Sequence, residues 1–338
     1  AASDVYKRQA TESDISVALL TDHLNTTKSK LAKQIGKRGV MEVLGDMQLL
    51  VGPPEQLCIS NAALMMFCEH LDKFFPYTQV EITKFPEGSI KNPNNFIEVP
   101  VIKGSVPTMI KRTMEKLQDM VIEEKVTKVD YQMEAIRRYS YPYQALEEAV
   151  VNAFYHRDYQ SYQAIIIEIE PDCVRIISYP GIDRSISQKT IAEGERFKSR
   201  YYRNKRLGEF LKELDLTEGK STGIPTIQEE LRDNGSPKAT FETDDERRAV
   251  TVEIPIHPDF LMEQGEPQNE PQNEPQNATS VEDAILQLIR MNKYVTREEM
   301  ASQIEVSLST VKRSINKLKT SGIIEYEGPS KGGYWSIK

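Results

Sequence analysis

The amino-acid sequence predicts an α+β protein in which helices pack on one side of an antiparallel sheet, followed by a separate small domain at the C-terminus. Up to about residue 258, segments whose apolar residues recur at helical spacing alternate with segments of period two. A tetrapeptide repeat then interrupts this pattern, and the final 60 residues resume it with three helical and two strand segments. A chain of 338 residues is long enough for two or three domains.

The predicted elements of the first 258 residues follow one another as a two-layer sandwich requires. Helical spacing predicts helices at residues 59–71, 107–125, 145–159 and 205–214, and another that begins near 223. Alternating apolar residues predict strands at 78–85, 162–170, 174–178 and 249–254.

Composition and pattern divide the chain into five predicted segments. These are a non-native or truncated lead at 1–9, an α/β segment at 10–105, an α+β domain at 106–258, a linker at 259–278 and a small C-terminal domain at 279–338. The lead lacks a starting Met and any periodicity, so we expect the natural protein to be longer. The linker contains three copies of Glu-Pro-Gln-Asn at 266–277 and no large apolar side chain there, which predicts an extended tether.

Charge and cysteine content limit the expected partners and compartment. The net charge of −8 predicts no general attraction to nucleic acid, but residues 279–338 carry nine Lys/Arg against seven Asp/Glu, a net +2. The three cysteines form no Cys-x-x-Cys pair, which favours a reducing cytoplasm and argues against a zinc site. No apolar run is long enough to predict a membrane span, and no secretory signal is predicted.

The helix predicted at 145–159 carries the main candidate site. Glu148, Asn152 and His156 are each four residues apart, so they lie along one face, separate from the apolar stripe. A carboxylate, a carboxamide and an imidazole in one row can activate water and hold a metal-bound phosphate. The alternative is a solvated polar face.

Four blocks of sequence carry a resemblance to a known family. They are residues 147–159, 176–182, 202–204 and 221–224. With them, residues of about 55–258 resemble the family known as RecG-like C-terminal or Schlafen/AlbA-associated regulators. The core of that family is similar to the ATPase fold shared by gyrase, heat-shock chaperones, histidine kinases and MutL. The stretch 17–57 resembles the segment that joins this core to an AlbA-like domain, most of which we expect to be missing here.

The resemblance implies a nucleotide site that takes ATP and Mg²⁺. Glu148 would be the catalytic general base for an attacking water, and Asn152 would be an oxygen ligand of the magnesium ion. His156 would also contact the cofactor, or else pack at the helix end and cap backbone carbonyls. Arg157 and Asp158 would enter the site or form a local ion pair that orders the next turn.

The resemblance also implies roles for the segments that follow. Ser178 takes the place of the family's adenine-binding carboxylate, and because a hydroxyl is uncharged we expect weaker adenine selectivity. Gly181 would let the backbone approach the adenine, and Gly223 would open a helix whose N–H groups face the phosphates. Ser221 and Thr222 would complete the phosphate loop. The span from Gly181 to Gly223 would form a lid.

A helicase motor is not predicted. Gly219, Lys220 and Ser221 match the end of a phosphate-binding P-loop, but its first glycine would fall at Leu214. A helix rather than a strand is predicted upstream of these residues, which is the wrong context for that motif.

Residues 279–338 predict a winged helix-turn-helix domain. Thr296 and Glu299 form a capping box at the start of the second helix, and two strands surround a Gly-rich turn near the end. The third helix and the turn supply the predicted DNA contacts: Ser309, Thr310, Lys312, Arg313, Asn316, Lys317 and Lys331.

We expect these contacts to divide by role. Arg313 and Asn316 would read base edges, whereas the lysines, including Lys319, would bind phosphates. Trp335 and Tyr334 are expected in the core at the base of the wing. Protein contacts are the alternative use of such a domain.

The sequence therefore predicts a cytoplasmic regulator of transcription that binds double-stranded DNA and senses a nucleotide or related ligand. The small positive charge of the C-terminal domain implies modest affinity per domain, so we expect a homo-oligomer without a membrane partner. One alternative is an ATP-hydrolysing enzyme of DNA processing. Another is a vestigial nucleotide fold that serves as a dimerisation scaffold.

Overall fold

A computed structural model describes residues 6–7, 9–127, 135–194, 203–217, 223–261, 281–304, 306, 308–320, 322–327 and 333–337. The chain forms two compact units, residues 1–267 and 268–338. The predicted linker repeat lies outside the described residues. No helix in the described ranges combines the length and the apolar character needed to cross a bilayer.

The first unit contains helices and strands in alternation. Its helices are α1 Val17–Thr26, α2 Val40–Asp46, α3 Asn61–Phe67, α4 Val106–Val121, α5 Tyr143–Tyr155, α6 Gln188–Glu193, α7 Lys205–Glu213, α8 Gly223–Asn234 and α9 Pro258–Leu261. Its strands are β1 Leu50–Val51, β2 Cys58–Ile59, β3 Val80–Lys84, β4 Ile97–Glu98, β5 Glu124–Thr127, β6 Ile136–Tyr139, β7 Ile165–Ile169, β8 Cys173–Ser178, β9 Thr240–Thr243 and β10 Val250–Pro255.

A mixed sheet forms the base of this unit, which confirms the α+β class. In the described part of the chain its six strands have the order β4-β3-β7-β8-β10-β9. The pair β3 and β7 is parallel and the other pairs are antiparallel, so the expectation of a purely antiparallel sheet was wrong. A parallel pair needs a long crossover, and α4, the β5–β6 hairpin and α5 supply it.

The helices cover one face of the sheet. Ile167, Ile176 and Val252 lie side by side across β7, β8 and β10 on that face. α5 packs over β8 and β10, and α4 and α8 flank it. The opposite face is mixed: Ile166 pairs with Ile177, and Arg175 lies 3.0 Å from Glu168 and 3.1 Å from Glu253. The burial pattern therefore follows the period-two alternation of the strands.

The predicted boundary at 105/106 is not a boundary in the structure. β3 comes from the segment 10–105, yet it pairs residue for residue with β7, which belongs to 106–258. One continuous apolar core extends from Ile15 to Phe260. Parallel pairing across the crossover joins the two predicted segments into one unit, because neither supplies the whole sheet.

The second unit is the predicted winged helix-turn-helix. It consists of α10 Val281–Met291, α11 Arg297–Ile304, α12 Leu308–Thr320, β11 Ile324–Glu327 and β12 Tyr334–Ile337. The backbone N–H of Thr296 donates to Glu299 and that of Glu299 donates to Thr296 Oγ1, which is the predicted capping box. Trp335 is buried at the base of the hairpin, and its ring N–H donates to the carbonyl of Val295 at 3.1 Å.

Candidate nucleotide site and nucleic-acid interface

Glu148 and Asn152 form one hydrogen-bonded pair on α5. Both side chains are half-buried, and Asn152 Nδ2 donates to Glu148 Oε1 at 3.0 Å. One turn of helix separates them, so the contact follows directly from their four-residue spacing. The side-chain oxygen of Asn152 does not take part in this bond and is the atom that would bind a hard cation.

The start of α8 lies directly against this pair. A β-carbon on Gly223 would stand 2.5 Å from Asn152 Nδ2 and 2.7 Å from Glu148 Oε1, so only glycine fits without a shift. The first N–H groups of a helix have no partner within the helix and carry partial positive charge. The structure therefore brings Gly223 against Glu148 and Asn152, two predicted site residues that lie far from it in sequence.

His156 marks the other end of the row. It occupies the position that ends α5, where its backbone N–H donates to the carbonyl of Asn152 at 3.0 Å. The imidazole stacks on Tyr155 with ring centroids 5.0 Å apart. The residue as a whole is exposed, although protein atoms surround the imidazole. Burial by the surrounding protein and, secondly, the positive charge of Arg203 lower the pKa of His156 to about 4, so the ring is neutral at pH 7.

Ser178 and Gly181 lie at the end of β8. Ser178 is buried and shares the helix-covered face with Val174 and Ile176. A β-carbon on Gly181 would lie 2.6 Å from the carbonyl oxygen of Ala249 and would also strike Thr243. The need for glycine at 181 therefore comes from the protein's own β9–β10 turn. Its approach to adenine stays a prediction.

The predicted lid needs correction. Leu207, Phe210 and Leu211 of α7 are buried in the core, and Gly208 packs against the ring of Tyr155. A helix with its apolar face in the core cannot swing as part of a lid, so the span from Gly181 to Gly223 does not move as a whole. Ser221 and Thr222, predicted for the phosphate loop, lie outside the described residues.

Arg157 does not form the local ion pair with Asp158 that the sequence suggested. The Arg157 side chain is 1% exposed, and its guanidinium donates to the carbonyl of Tyr77 at 3.0 Å. The carboxylate of Asp158 lies instead 4.0 Å from the guanidinium of Arg203. Arg157 is thus part of the interior between α5 and the start of β3.

Asn204 is a structural position that reasoning from sequence missed. The side chain is fully buried, and its Nδ2 donates to the carbonyls of Tyr155 at 2.9 Å and Arg157 at 2.7 Å. These carbonyls flank His156 at the end of α5. The last carbonyls of a helix have no donor within the helix, and Asn204 supplies one here. The resemblance at 202–204 marked the segment but gave it no role.

The candidate nucleic-acid interface is the outer face of α12. Val311, Ile315 and Leu318 are buried, whereas Lys312, Arg313, Asn316, Lys317 and Lys319 are exposed. Thr310 is half-buried and Ser309 lies in the first turn of the helix. Lys331 lies outside the described residues. Most of the predicted contact residues thus share one accessible, cationic helix face.

No group of three His, Cys, Asp or Glu side chains converges in a metal-binding arrangement within the described ranges. A magnesium ion held by a phosphate chain and one amide oxygen needs no such group. The residues fit that kind of ion, since the side-chain oxygen of Asn152 is not used in its hydrogen bond to Glu148 and the start of α8 lies next to this amide.

The fold defines a class: an ATPase-like α+β unit followed by a winged helix-turn-helix unit. Comparison with family models gives two matches. Residues 163–253 match the family described as "Putative ATP-dependent DNA helicase recG C-terminal", and residues 281–334 match the helix-turn-helix domain family. These matches confirm the predicted relationship for the regions they cover, and a helix-turn-helix domain indicates DNA binding.

Comparison with solved structures shows the same overall fold in the DIP2311 protein from Corynebacterium diphtheriae. The two chains are 16% identical, with a TM-score of 0.57 over 100% of this chain and 64% of the other. The chain thus spans less than two thirds of the length of that protein. The search among curated proteins gave no match.

Proposed function

We propose that this protein is a transcriptional regulator that binds double-stranded DNA through α12. The observation that carries the proposal is the division of α12 into a buried apolar face and an exposed cationic face. An α-helix fits the major groove, and cationic and amide side chains there contact phosphates and base edges. Arg313 and Asn316 would read bases, while Lys312 and Lys317 would bind phosphates.

We further propose that the first unit binds a nucleotide with magnesium, which would neutralise phosphate charge when bound. Asn152 would hold the ion, and the first N–H groups of α8 at Gly223 would bind phosphate oxygens. Ser178 would face the base and form one neutral hydrogen bond. Binding would change the DNA affinity by favouring one of two states of the protein.

A second candidate function is ATP hydrolysis in DNA processing. The position of Glu148 favours it, since a half-buried carboxylate next to the ion-binding amide and the start of a helix can accept a proton from water. A third candidate is a scaffold, in which the same elements stabilise a dimer without any ligand.

The DNA-binding proposal is tested by gel-shift titration of the full chain at several salt concentrations. Arg313→Ala should weaken binding to a selected sequence by about tenfold or more, the effect of losing one specific base contact. Arg290→Ala removes the same charge from the exposed end of α10 and serves as the control. Equal binding by the wild type and the Arg313 variant would refute the assignment of α12.

The nucleotide proposals are separated by thermal stability and phosphate release with Mg²⁺ and ATP. A rise in Tm without turnover supports the sensor, and steady phosphate release that Glu148→Gln abolishes supports the enzyme. Glu147→Gln is the matched control, because that carboxylate interacts with Tyr143 instead. No rise in Tm with any nucleotide would leave only the scaffold.

A further inference from the structure

Arg203 is held in a fixed place beside His156. The next residue, Asn204, donates from one amide nitrogen to the carbonyls on either side of His156, at 2.9 and 2.7 Å. Consecutive Cα atoms are about 3.8 Å apart, so residue 203 must lie close to the end of α5. The buried side chain of Asn204, with its two hydrogen bonds, fixes the position of the backbone next to Arg203.

Among the described residues, the guanidinium of Arg203 keeps its donors available. It is 36% exposed, and its contact with the carboxylate of Asp158 is 4.0 Å long, beyond hydrogen-bond distance. Within the described ranges it makes no hydrogen bond to a side chain or a carbonyl. A guanidinium carries five N–H donors in a planar fork that matches the oxygens of a carboxylate or a phosphate.

The same neighbourhood includes the turn after β8. The backbone N–H of Asp158 donates to the carbonyl of Tyr179 at 2.9 Å, which joins the end of α5 to the segment between Ser178 and Gly181. The charge of Arg203 reaches both sides of this junction. Burial is the main cause of the low pKa of His156, and the charge of Arg203 is the second. The hydrogen bonds from Ser185 are the main cause of the low pKa of Asp183, and the charge of Arg203 lowers it further.

We propose that Arg203 is a phosphate-binding residue of the nucleotide site. The inference rests on the proposed nucleotide binding and extends it. The row on α5 runs from Glu148 and Asn152, where α8 begins, to His156, where Arg203 stands. The eight residue steps from Glu148 to His156 span about 12 Å along the helix, a length that a nucleoside phosphate can follow. Arg203 places a cation at the His156 end of this row, close to the carboxylate of Asp158.

Calorimetric titration of the full chain with ATP, ADP, AMP and adenosine, in the presence of Mg²⁺, tests the inference. Arg203→Ala should weaken the binding of ATP by about tenfold or more, as expected for the loss of a charge-assisted hydrogen bond. Adenosine, which has no phosphate, should bind equally to both proteins. Arg203→Lys keeps the charge but not the fork and should lie between them.

Arg232→Ala provides the matched control. Arg232 is 69% exposed near the other end of α8 and pairs with Glu229 and Asp233, so its loss changes the net charge equally. If ATP binds the wild type and Arg203→Ala with the same affinity, the inference is overturned and nucleotide binding stands. An equal loss for adenosine also overturns it. If the wild type binds no nucleotide, the proposed nucleotide binding is refuted, and the role of Arg203 is refuted with it.

A second readout needs no ligand. NMR titration of the imidazole should show a higher pKa for His156 in Arg203→Ala than in the wild type, because a neighbouring positive charge has been removed. Arg232→Ala should leave that pKa unchanged. An unaltered pKa in Arg203→Ala would mean that the guanidinium does not stand beside the row, which overturns the inference independently of nucleotide binding.

Discussion

Gly223 and Gly181 are both required by close contacts, but the contacts differ in kind. A β-carbon at Gly223 would meet the amide of Asn152 and the carboxylate of Glu148, two side-chain ends on α5. A β-carbon at Gly181 would meet the backbone of the protein's own β9–β10 turn. Gly223 lets the start of α8 approach candidate functional groups, whereas Gly181 lets the segment after β8 pack against the β9–β10 turn.

The comparison shows that two glycines from the same family resemblance can have separate physical causes. Side-chain ends can rotate away from an added methyl group, but a carbonyl in a paired turn cannot move without breaking its strand. Substitutions at the two positions should therefore separate stability from ligand binding.

The largest effect is expected from Gly181→Ala. The added methyl group collides with the Ala249 carbonyl and with Thr243, so the free energy of unfolding should fall by about 3 kcal/mol. Urea unfolding followed by circular dichroism measures the change. A loss below about 1 kcal/mol would show that the turn yields, and the contrast between the two glycines would then disappear.

Asn204→Ala should have the next largest effect, about 2 kcal/mol, since two buried carbonyls at the end of α5 lose their donor. Asn204→Asp should be worse, because a carboxylate would then face the same two carbonyls. The order of the two variants in urea unfolding is the test. An Asp variant as stable as the wild type would contradict the role of Asn204 as the anchor of this end of the row.

Gly223→Ala should change the free energy of unfolding by less than about 1 kcal/mol. The added methyl group would meet only the movable ends of two side chains, which can shift to admit it. Under the proposed function, the variant should nevertheless lose the rise in Tm that ATP and Mg²⁺ give to the wild type. A large loss of stability here would place Gly223 in the same class as Gly181.

The free energy of unfolding should also depend on pH below 6.5, although by less than these substitutions change it. The variants are therefore best compared at pH 7.5. Burial lowers the pKa of His23 and of His257 in the folded protein. The unfolded chain then binds protons first, so stability is complete above the ordinary histidine value of 6.5 and declines as the pH falls toward the folded values. Glu147 acts in the opposite direction, since burial raises its pKa. A Tm that stays constant from pH 7.5 to 5 would contradict this expectation.

Periodicity predicted most long elements to within a few residues. The helix predicted at 107–125 is observed at Val106–Val121, and the strand predicted at 174–178 is observed at Cys173–Ser178. The β5–β6 hairpin and β9 were missed. Their strands are four residues long and mostly accessible, so they carry too little alternation for a period-two signal.

The candidate site was only partly predictable. The spacing of Glu148 and Asn152 placed them on one face of a helix, and their hydrogen bond agrees with that. The burial of Arg157 and the role of Asn204 were not predicted, because their partners, Tyr77 and Tyr155, lie 80 and 49 residues away in sequence. No local pattern records such contacts.

The sequence by itself determined which side chains share a helix face, because the helical repeat fixes the angle between residues one turn apart. It thereby determined the polar row of α5 and the cationic face of α12. Only the tertiary structure decided that α8 begins against that row, that α7 belongs to the core and that Arg203 stands beside His156. These contacts arise from packing between segments that are distant in sequence. Because apolar burial is non-directional, the segments that pack together depend on the whole chain.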